Sequence, residues 1–122
     1  MRWSLPFLLS VSLFPLAGCI GGSNPADTGG PLVAITNPQD GATVGSNVSI
    51  DVAAVDDIGV DLVRVLVDAD TLAVMYTPPF HLNWNTRSHA NNTTHVIRAE
   101  AFDVAKNWSA TTIRVTVFNQ PQ

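Results

Sequence analysis

The segment Asn47–Val55 has the sequence NVSIDVAAV, in which apolar and polar side chains alternate over most of the length. Val48, Ile50 and Val52 occupy every second position, and polar side chains stand between them. A β-strand turns successive side chains to opposite faces of a sheet, so a period of two is typical of a strand with one buried face. The segment therefore predicts such a strand.

The same period recurs on both sides of this segment, between residues 31 and 118. Its apolar runs are short, and Gly, Pro, Asn and Asp, which favour turns, separate them. Six further strands are predicted at Leu32–Thr36, Leu62–Asp68, Thr71–Tyr76, Phe80–Asn85, Thr94–Phe102 and Ala110–Phe118. Seven short strands within about 100 residues predict an all-β fold, a seven-stranded immunoglobulin-like β-sandwich. Trp84 shares the inward register of its strand, so we expect it in the core.

Composition limits what a chain of 122 residues can be. Hydrophobic residues make up 46% and charged residues 13%, which is too apolar for a disordered chain. With 6 Lys and Arg against 10 Asp and Glu, the formal net charge is -4, which argues against a nucleic-acid partner. The single Cys cannot form an internal disulfide, so the predicted sandwich depends on packing alone.

The first residues have the pattern of an export signal. Arg2 is followed by the apolar run Leu5–Leu16, which ends at the small residues Ala17-Gly18. The run is shorter than the roughly 20 apolar residues that a spanning helix needs, and two prolines interrupt it. The pattern predicts a cleaved signal peptide over residues 1–18.

The tetrapeptide Leu16-Ala17-Gly18-Cys19 resembles the lipobox of bacterial lipoproteins. The resemblance implies cleavage before Cys19, a diacylglycerol on its sulfur and acylation of the new amino terminus, which makes the membrane a partner. Ile20, in place of Asp after the Cys, implies by the family's sorting pattern a location at the outer membrane or surface of a bacterial cell envelope. The alternative is a secreted protein with a chance Cys at its cleavage site. Residues 19–30 are rich in Gly and predict a flexible tether.

Five ordered segments look like parts of bacterial immunoglobulin-like modules from surface and secreted proteins. The segments are PLVAITNPQDGATV at Pro31–Val44, AVDDIGV at Ala54–Val60, VRVLVD at Val63–Asp68 with PFHLNW at Pro79–Trp84, and AEAFD at Ala99–Asp103 with Asn107. The resemblance covers residues 31–118, leaves 119–122 as a tail, and implies a non-catalytic spacer, stalk or binding unit. Ala69 and Lys106 stand where the family usually has Gly, so we expect two turns of a different type.

Oxygen ligands from two predicted loops lie at the same end of such a sandwich. Asp56 and Asp57 belong to one loop, and Asp103 and Asn107 belong to the other. Ca²⁺ takes six to eight oxygen ligands, so these residues are a candidate calcium site that would rigidify the loops. The favoured alternative is that the side chains accept backbone hydrogen bonds and close their own turns. No cofactor is required in that case.

Trp108 follows the second of these loops and lies outside the clear alternation of the last strand. If exposed, it is suited to stacking on a sugar ring or to anchoring a partner, because it offers a large contact area with little conformational entropy to lose. The alternative is that Trp108 caps the open end of the core.

The three His do not predict a zinc site, because zinc needs three or four ligands in tetrahedral geometry and the chain offers no Cys partner for them. His81 is predicted to point outward, and a solvated loop is the favoured interpretation of the segment that His89 and His95 flank. The chain also lacks G-x-S-x-G and a Gly-rich phosphate loop, so we expect no enzyme activity.

The first strand begins at the end where the second finishes, so we expect the tether to leave beside Trp108. The opposite end carries the second group of candidate ligand-binding residues, which would meet a ligand in the medium first: Arg87, His89, Asn91 and Asn92. The predicted function is a lipid-anchored module of the cell envelope, acting by adhesion, other binding or structural display, with an envelope protein or polysaccharide as partner. The alternative is a carbohydrate-binding accessory module for envelope polysaccharide enzymes.

Overall fold

The structure is a computed structural model that describes residues 29–120. The predicted signal peptide, Cys19 and most of the predicted tether lie outside the described residues, as do the last two residues of the chain. Within residues 29–120, no helix is long and apolar enough to cross a membrane.

The described part of the chain forms two β-sheets. Its strands are β1 (Leu32–Asn37), β2 (Thr43–Val44), β3 (Asn47–Val55), β4 (Val60–Val67), β5 (Asp70–Met75), β6 (Phe80–Asn85), β7 (Thr93–Asp103) and β8 (Trp108–Val117). One sheet has three strands in the order β1-β3-β6, and the other has five in the order β2-β8-β7-β4-β5. Neighbouring strands are antiparallel except for β2, which pairs with β8 in parallel.

The core lies between the sheets and follows from the period of two. Ile50 of β3, Val65 of β4, Ile97 of β7 and Val115 of β8 are each at most 1% exposed and meet across the interface. Burying a side chain of this size contributes about 1.5–3 kcal/mol, so a few such contacts account for much of the stability of a small sandwich. Trp84 is 4% exposed, which confirms its predicted place in the core.

The all-β immunoglobulin-like sandwich is therefore confirmed, with eight strands in the described residues where seven were predicted. The bounds of β3 and β6 agree with the prediction, and β7 and β8 are longer. The additional strand, β2, has two residues, which is too short for a visible alternation. Its parallel pairing with the end of β8 depends on a partner more than 70 residues away.

The sequence predicts a different turn type at Ala69 and Lys106, because neither residue readily adopts the positive φ that Gly allows. Both residues do adopt positive φ, so this expectation is wrong. The hairpin register pairs Val67 with Asp70, which leaves only Asp68 and Ala69 for the turn. A two-residue hairpin turn of type I′ needs positive φ at both positions. Asp68 has φ 51 and Ala69 has φ 75, while Lys106 has φ 76 in the loop before β8. The strand pairing fixes these turns more strongly than the residue type does.

Candidate functional site

The five-stranded sheet turns one face to the core and leaves the other exposed. Along β7, Ala99 and Ala101 are buried in the core, and the side chains that alternate with them lie on the exposed side. The pairing of β7 with β4 and β8 then brings together side chains from three strands. This surface is named the outer face, and its central residues are Leu62, Arg64, Arg98, Glu100, Phe102 and Trp108.

Glu100 lies at the middle of the outer face, between two arginines. Its Oε1 accepts a hydrogen bond from Nε of Arg64 at 2.7 Å, and its Oε2 accepts one from Nε of Arg98 at 2.8 Å. Burial acts to raise the pKa of the Glu100 carboxyl, but the hydrogen bonds from Arg98 and Arg64 and their charges outweigh it, so the pKa lies below its ordinary value. The carboxylate fixes both guanidinium groups in place, although both arginine side chains remain partly exposed.

Trp108 is the first residue of β8 and is 55% exposed, so it does not cap the core. The register pairs it with Phe102, and the two ring centroids are 6.2 Å apart with planes 29° from parallel. The guanidinium of Arg98 lies 5.9 Å from the Trp108 ring centroid, and that of Arg64 lies 5.7 Å from the Phe102 ring centroid. At these distances cation–π attraction helps to hold both rings against the sheet.

A shallow depression of about 250 Å³ adjoins the Phe102 ring. It is lined by Asp61, Leu62, Arg64, Val74, Phe102 and Lys106. The depression is smaller than a typical enclosed ligand pocket of about 300–1,000 Å³. The outer face therefore suits a ligand that lies across the sheet surface and inserts one group, more than a small molecule that is enclosed.

The Asp103 carboxylate closes the loop before β8. It is fully buried, and its Oδ1 accepts hydrogen bonds from the backbone N–H of Ala105 at 2.9 Å and of Asn107 at 2.8 Å. The Asn107 amide donates to Oδ2 at 3.3 Å. These contacts agree with the alternative to calcium binding, in which the side chains close their own turns. The Asp103 carboxylate accepts hydrogen bonds from backbone donors that the loop would otherwise leave without an acceptor.

Asp56 and Asp57 lie in the loop between β3 and β4, at the same end of the sandwich. Oδ2 of Asp56 accepts a hydrogen bond from the backbone N–H of Ile58 at 3.2 Å, which again closes a local turn. Among residues 29–120, no group of three or more His, Cys, Asp or Glu side chains is arranged to hold a metal ion. The calcium site stays a prediction, and the contacts of Asp56 and Asp103 are those of turn residues.

The chain enters the sandwich at this same end. Leu32 pairs with Val55, so β1 begins where β3 finishes. Gly30 lies against the start of β8, where an added Cβ would come within 2.7 Å of the Trp108 carbonyl oxygen. This end is named the Gly30 end. The chain thus enters beside Trp108, as the strand order predicts.

The opposite end carries an aromatic cluster that the sequence did not indicate. The ring of His95 lies 5.8 Å from that of Trp84 and 4.3 Å from that of His89. Nδ1 of His95 is 2.5 Å from Oδ2 of Asp68, and His95 is only 9% exposed. The prediction of a solvated loop is therefore wrong for His95, because its place on β7 puts it in the inward register. His81 is exposed, as predicted, and pairs with Asp51.

Asp68 connects this cluster to the turn between β4 and β5. Burial acts to raise the pKa of its carboxyl, but the hydrogen bond from His95, together with the one from the backbone N–H of Val96, outweighs burial and lowers the pKa. Asp68 thus has a positive φ in its turn, and its carboxylate accepts a hydrogen bond from the backbone of β7.

The other residues predicted to bind a ligand at this end also stabilise their own loop. Asn91 exchanges hydrogen bonds with the backbone N–H and carbonyl of Asn119 at 2.6 and 3.3 Å. Asn92 has φ 65 and donates its backbone N–H to the carbonyl of Val117. The Arg87 side chain is exposed, and its backbone N–H donates to Oδ1 of Asn85. Their role in ligand binding stays a prediction.

Asn119, which the sequence analysis leaves in the C-terminal tail, forms four side-chain hydrogen bonds. Its Oδ1 accepts from the backbone N–H of Ser46 at 2.8 Å and from the Thr86 hydroxyl at 2.7 Å. Its Nδ2 donates to the carbonyl oxygens of Thr86 at 3.0 Å and His89 at 3.2 Å. This end of the sandwich, opposite Gly30, is named the Asn119 end.

Sequence reasoning identified Trp108 but missed the residues that surround it. Arg98, Glu100 and Phe102 occur at every second position of β7, which was signal enough to place them on one face. Arg64 joins them only through the pairing of β4 with β7, and that register is not visible in the sequence.

The two packed sheets and the absence of a helix from the described residues define an immunoglobulin-like sandwich module. The chain belongs to the bacterial Ig domain family, whose model matches residues 31–99. The comparison with curated proteins finds no match.

Several solved structures share this fold. The chain is similar to the fibronectin(III)-like modules of Clostridium thermocellum CbhA, with a TM-score of 0.61 and 22% identity over 74% of this chain and 100% of that one. It is also similar to the endo-beta-1,4-mannanase of Thermotoga petrophila, with a TM-score of 0.61 and 16% identity over 77% of this chain. This chain corresponds to 21% of the mannanase chain, so the likeness concerns one part of that enzyme.

Proposed function

We propose that the protein is a lipid-anchored module of the bacterial cell envelope that acts by binding or structural display and has no catalytic activity. The observation that carries the proposal is the position of Gly30 beside Trp108, opposite the Asn119 end. A chain anchored at Cys19 would hold the Gly30 end nearest the membrane and present the rest of the sandwich away from it.

The surface at the Gly30 end supports this orientation. Leu32 is 74% exposed there, and Ile58 and Val104 are 52% and 54% exposed in the adjoining loops. The two loops meet through a hydrogen bond from the backbone N–H of Val104 to the carbonyl of Gly59. Apolar side chains gathered at one end are suited to a position next to lipid headgroups.

The ionisable groups of the sandwich support a non-catalytic role. Glu100 is held between Arg64 and Arg98, and Asp68 is bonded to His95. Each carboxylate stabilises a neighbouring cation or backbone donor. An enzyme would instead need a nucleophile and a base positioned around an open cleft.

The experiment is metabolic labelling of the expressed protein with a fatty acid, followed by separation of membrane and soluble fractions. The wild-type chain is expected to carry the label and to sediment with the membrane, whereas Cys19→Ser is expected to lose the label and enter the soluble fraction. Ser23→Ala is the matched control, because it changes a nearby polar residue without removing the thiol. Equal labelling of Cys19→Ser and wild type would refute the anchor.

A second candidate function, carbohydrate binding as an accessory module for envelope polysaccharide enzymes, is favoured by one specific observation. Trp108 is 55% exposed and is held by its contact with Phe102, so it offers a fixed apolar surface on which a sugar ring can stack. One of the similar structures is an endo-beta-1,4-mannanase, and the name of that enzyme denotes a polysaccharide substrate.

Affinity electrophoresis in gels that contain a polysaccharide tests this candidate. Trp108→Ala should abolish the retardation that the wild-type chain shows. Phe118→Ala should preserve it, because this aromatic side chain is 40% exposed at the Asn119 end. Loss of retardation in both variants, with both folded, would refute a site at Trp108.

A further inference from the structure

The cations of the described chain are concentrated on one surface. Residues 29–120 contain five Lys and Arg side chains, and four of them lie on the outer face or at its margin. These four are Arg64, Arg98, Lys106 and Arg114. The fifth, Arg87, lies at the Asn119 end. This distribution is unexpected for a chain with a net charge of -4, in which acidic side chains outnumber basic ones.

Carboxylates are less concentrated there: three of the nine Asp and Glu side chains of residues 29–120 lie on this surface or at its margin. Of the acidic side chains, Glu100 lies within the outer face and Asp61 lines its depression. Asp40 lies at the margin, where its Oδ1 accepts a hydrogen bond from the backbone N–H of Arg114 at 2.9 Å. The other acidic residues of the described chain lie elsewhere. At physiological ionic strength, charges more than about 8 Å apart are largely screened, so a ligand at the outer face meets mainly these four cations and three carboxylates, a local excess of one positive charge.

The arginines of this face keep donors that the ion pairs do not use. A guanidinium has five N–H donors. Within the described chain, Arg98 uses only Nε, towards Glu100, and its side chain is 37% exposed. Arg64 uses Nε and one Nη towards the same carboxylate, and its side chain is 40% exposed. The remaining N–H groups are fixed in direction by Glu100 and are available to a second carboxylate in bidentate geometry.

Aromatic rings and guanidinium donors therefore stand side by side on one open surface. The Arg98 guanidinium lies 5.9 Å from the Trp108 ring, so a ligand that stacks on the ring brings its substituents within reach of the arginine. A ligand that uses both groups must have a ring with an apolar face and must carry an anionic substituent. Uronic acid residues have both features.

We propose that the outer face binds an acidic polysaccharide whose sugar rings stack on Trp108 and whose carboxylates pair with Arg98, Arg64 and the cations at the margin. The proposal rests on the second candidate function, carbohydrate binding, and names its ligand class. Charge complementarity selects this occupant. A neutral glycan would use the rings and leave Lys106, Arg114 and the unused N–H donors of the two arginines without a partner, and an enclosed small molecule does not suit the shallow depression.

The experiment measures binding of the full chain, purified in detergent, to polygalacturonate oligosaccharides, and to the same oligosaccharides after methyl esterification. The two ligands share a backbone and differ in charge. We expect the acid form to bind at least tenfold more tightly and to lose affinity as the salt concentration rises. Binding is also measured to neutral mannan oligosaccharides, which carry no charge, and to single-stranded DNA, which is a polyanion without uronic acid residues.

Variants separate charge from folding. Lys106→Gln combined with Arg114→Gln removes two exposed cations that form no ion pair in the described chain, and should weaken binding of the acid form roughly three- to tenfold. Arg87→Gln is the matched control, because it removes the cation at the opposite end and should leave the affinity unchanged. Trp108→Ala should weaken binding of acid and ester forms alike.

The outcomes distinguish the inference from the function on which it rests. If the acid and ester forms bind with equal affinity and both depend on Trp108, the preference for an acidic polysaccharide is refuted and the carbohydrate site at Trp108 is supported. Absence of binding to every glycan would overturn both. DNA binding as tight as that of the acid form, or an equal loss in Arg87→Gln and in the Lys106 and Arg114 double variant, would show that the face responds to charge alone and would overturn the proposal.

Discussion

Replacement of Ala69 by Gly should stabilise the sandwich, although Gly usually weakens a β-structure. Ala69 has φ 75 in the two-residue turn between β4 and β5. An L-residue in the left-handed region brings its Cβ close to the following carbonyl oxygen, at a cost of about 1–2 kcal/mol. Gly has no Cβ, so it adopts this conformation without that cost.

The size of the effect follows from two opposing contributions. Relief of the steric cost favours Gly by about 1–2 kcal/mol, and the greater freedom of Gly in the unfolded chain offsets about 0.4–1 kcal/mol of it. The net gain should be about 1 kcal/mol, which raises the midpoint of thermal unfolding by about 4–8 °C in a domain of this size. Side-chain contacts are hardly affected, because Ala69 is exposed.

The assay is thermal and urea unfolding of the unlipidated chain, followed by the fluorescence of the buried Trp84. Ala73→Gly is the matched control, since Ala73 lies within β5 opposite Val65 and should lose about 0.5–1 kcal/mol on the same substitution. If Ala69→Gly lowers the midpoint as Ala73→Gly does, the turn does not hold Ala69 in the left-handed region and the reasoning fails.

Three further substitutions test other contacts. Glu100→Gln should lower the free energy of unfolding by about 1–2 kcal/mol at neutral pH. The pKa of the Glu100 carboxyl is lowered in the folded state, so the carboxylate stabilises the fold above its ordinary pKa of 4.5 and loses this effect as the pH falls through the lowered pKa. The variant should therefore lose less stability than the wild type on acidification. Urea midpoints from pH 3 to pH 7 check it, and an unchanged acid slope would contradict it. Asn119→Ala should cost about 2–3 kcal/mol in urea unfolding, because it removes four hydrogen bonds at the C-terminal end of the sandwich. Asp103→Ala should lower the free energy of unfolding by about 2–3 kcal/mol with or without calcium, since it leaves two part-buried backbone donors without an acceptor. A loss seen only with calcium present would instead support the calcium site.

The fold could be predicted because its signal is local. Each strand carries its own alternation, and the bounds of β3 and β6 could be read from their own residues. Trp84 was assigned to the core for the same reason. Where the signal was short or distant the prediction failed, as for β2, whose two residues are specified by their pairing with Thr116 and Val117.

The turns show how tertiary pairing overrides residue preference. Ala69 and Lys106 do not favour positive φ, and the residue types alone therefore pointed to other turn types. Because Val67 pairs with Asp70, the turn can contain only Asp68 and Ala69. The contact between Asp68 and His95 at the same turn joins residues from two strands, so no inspection of either segment by itself could reveal it.

The outer face combines both kinds of information, and this explains why only part of it was found. Trp108 is conspicuous in the sequence because it follows a loop and breaks the alternation. The charge on the face is not conspicuous, because a net charge of -4 conceals a local excess of cations. Strand β7 supplies Arg98 and Glu100, and the register of β4 places Arg64 beside them. The buried Glu100 carboxylate then lies between two guanidinium groups that it orients. Net charge excludes a partner class only if charge is evenly spread, so the distribution over faces is the quantity that decides which ligands this module can bind.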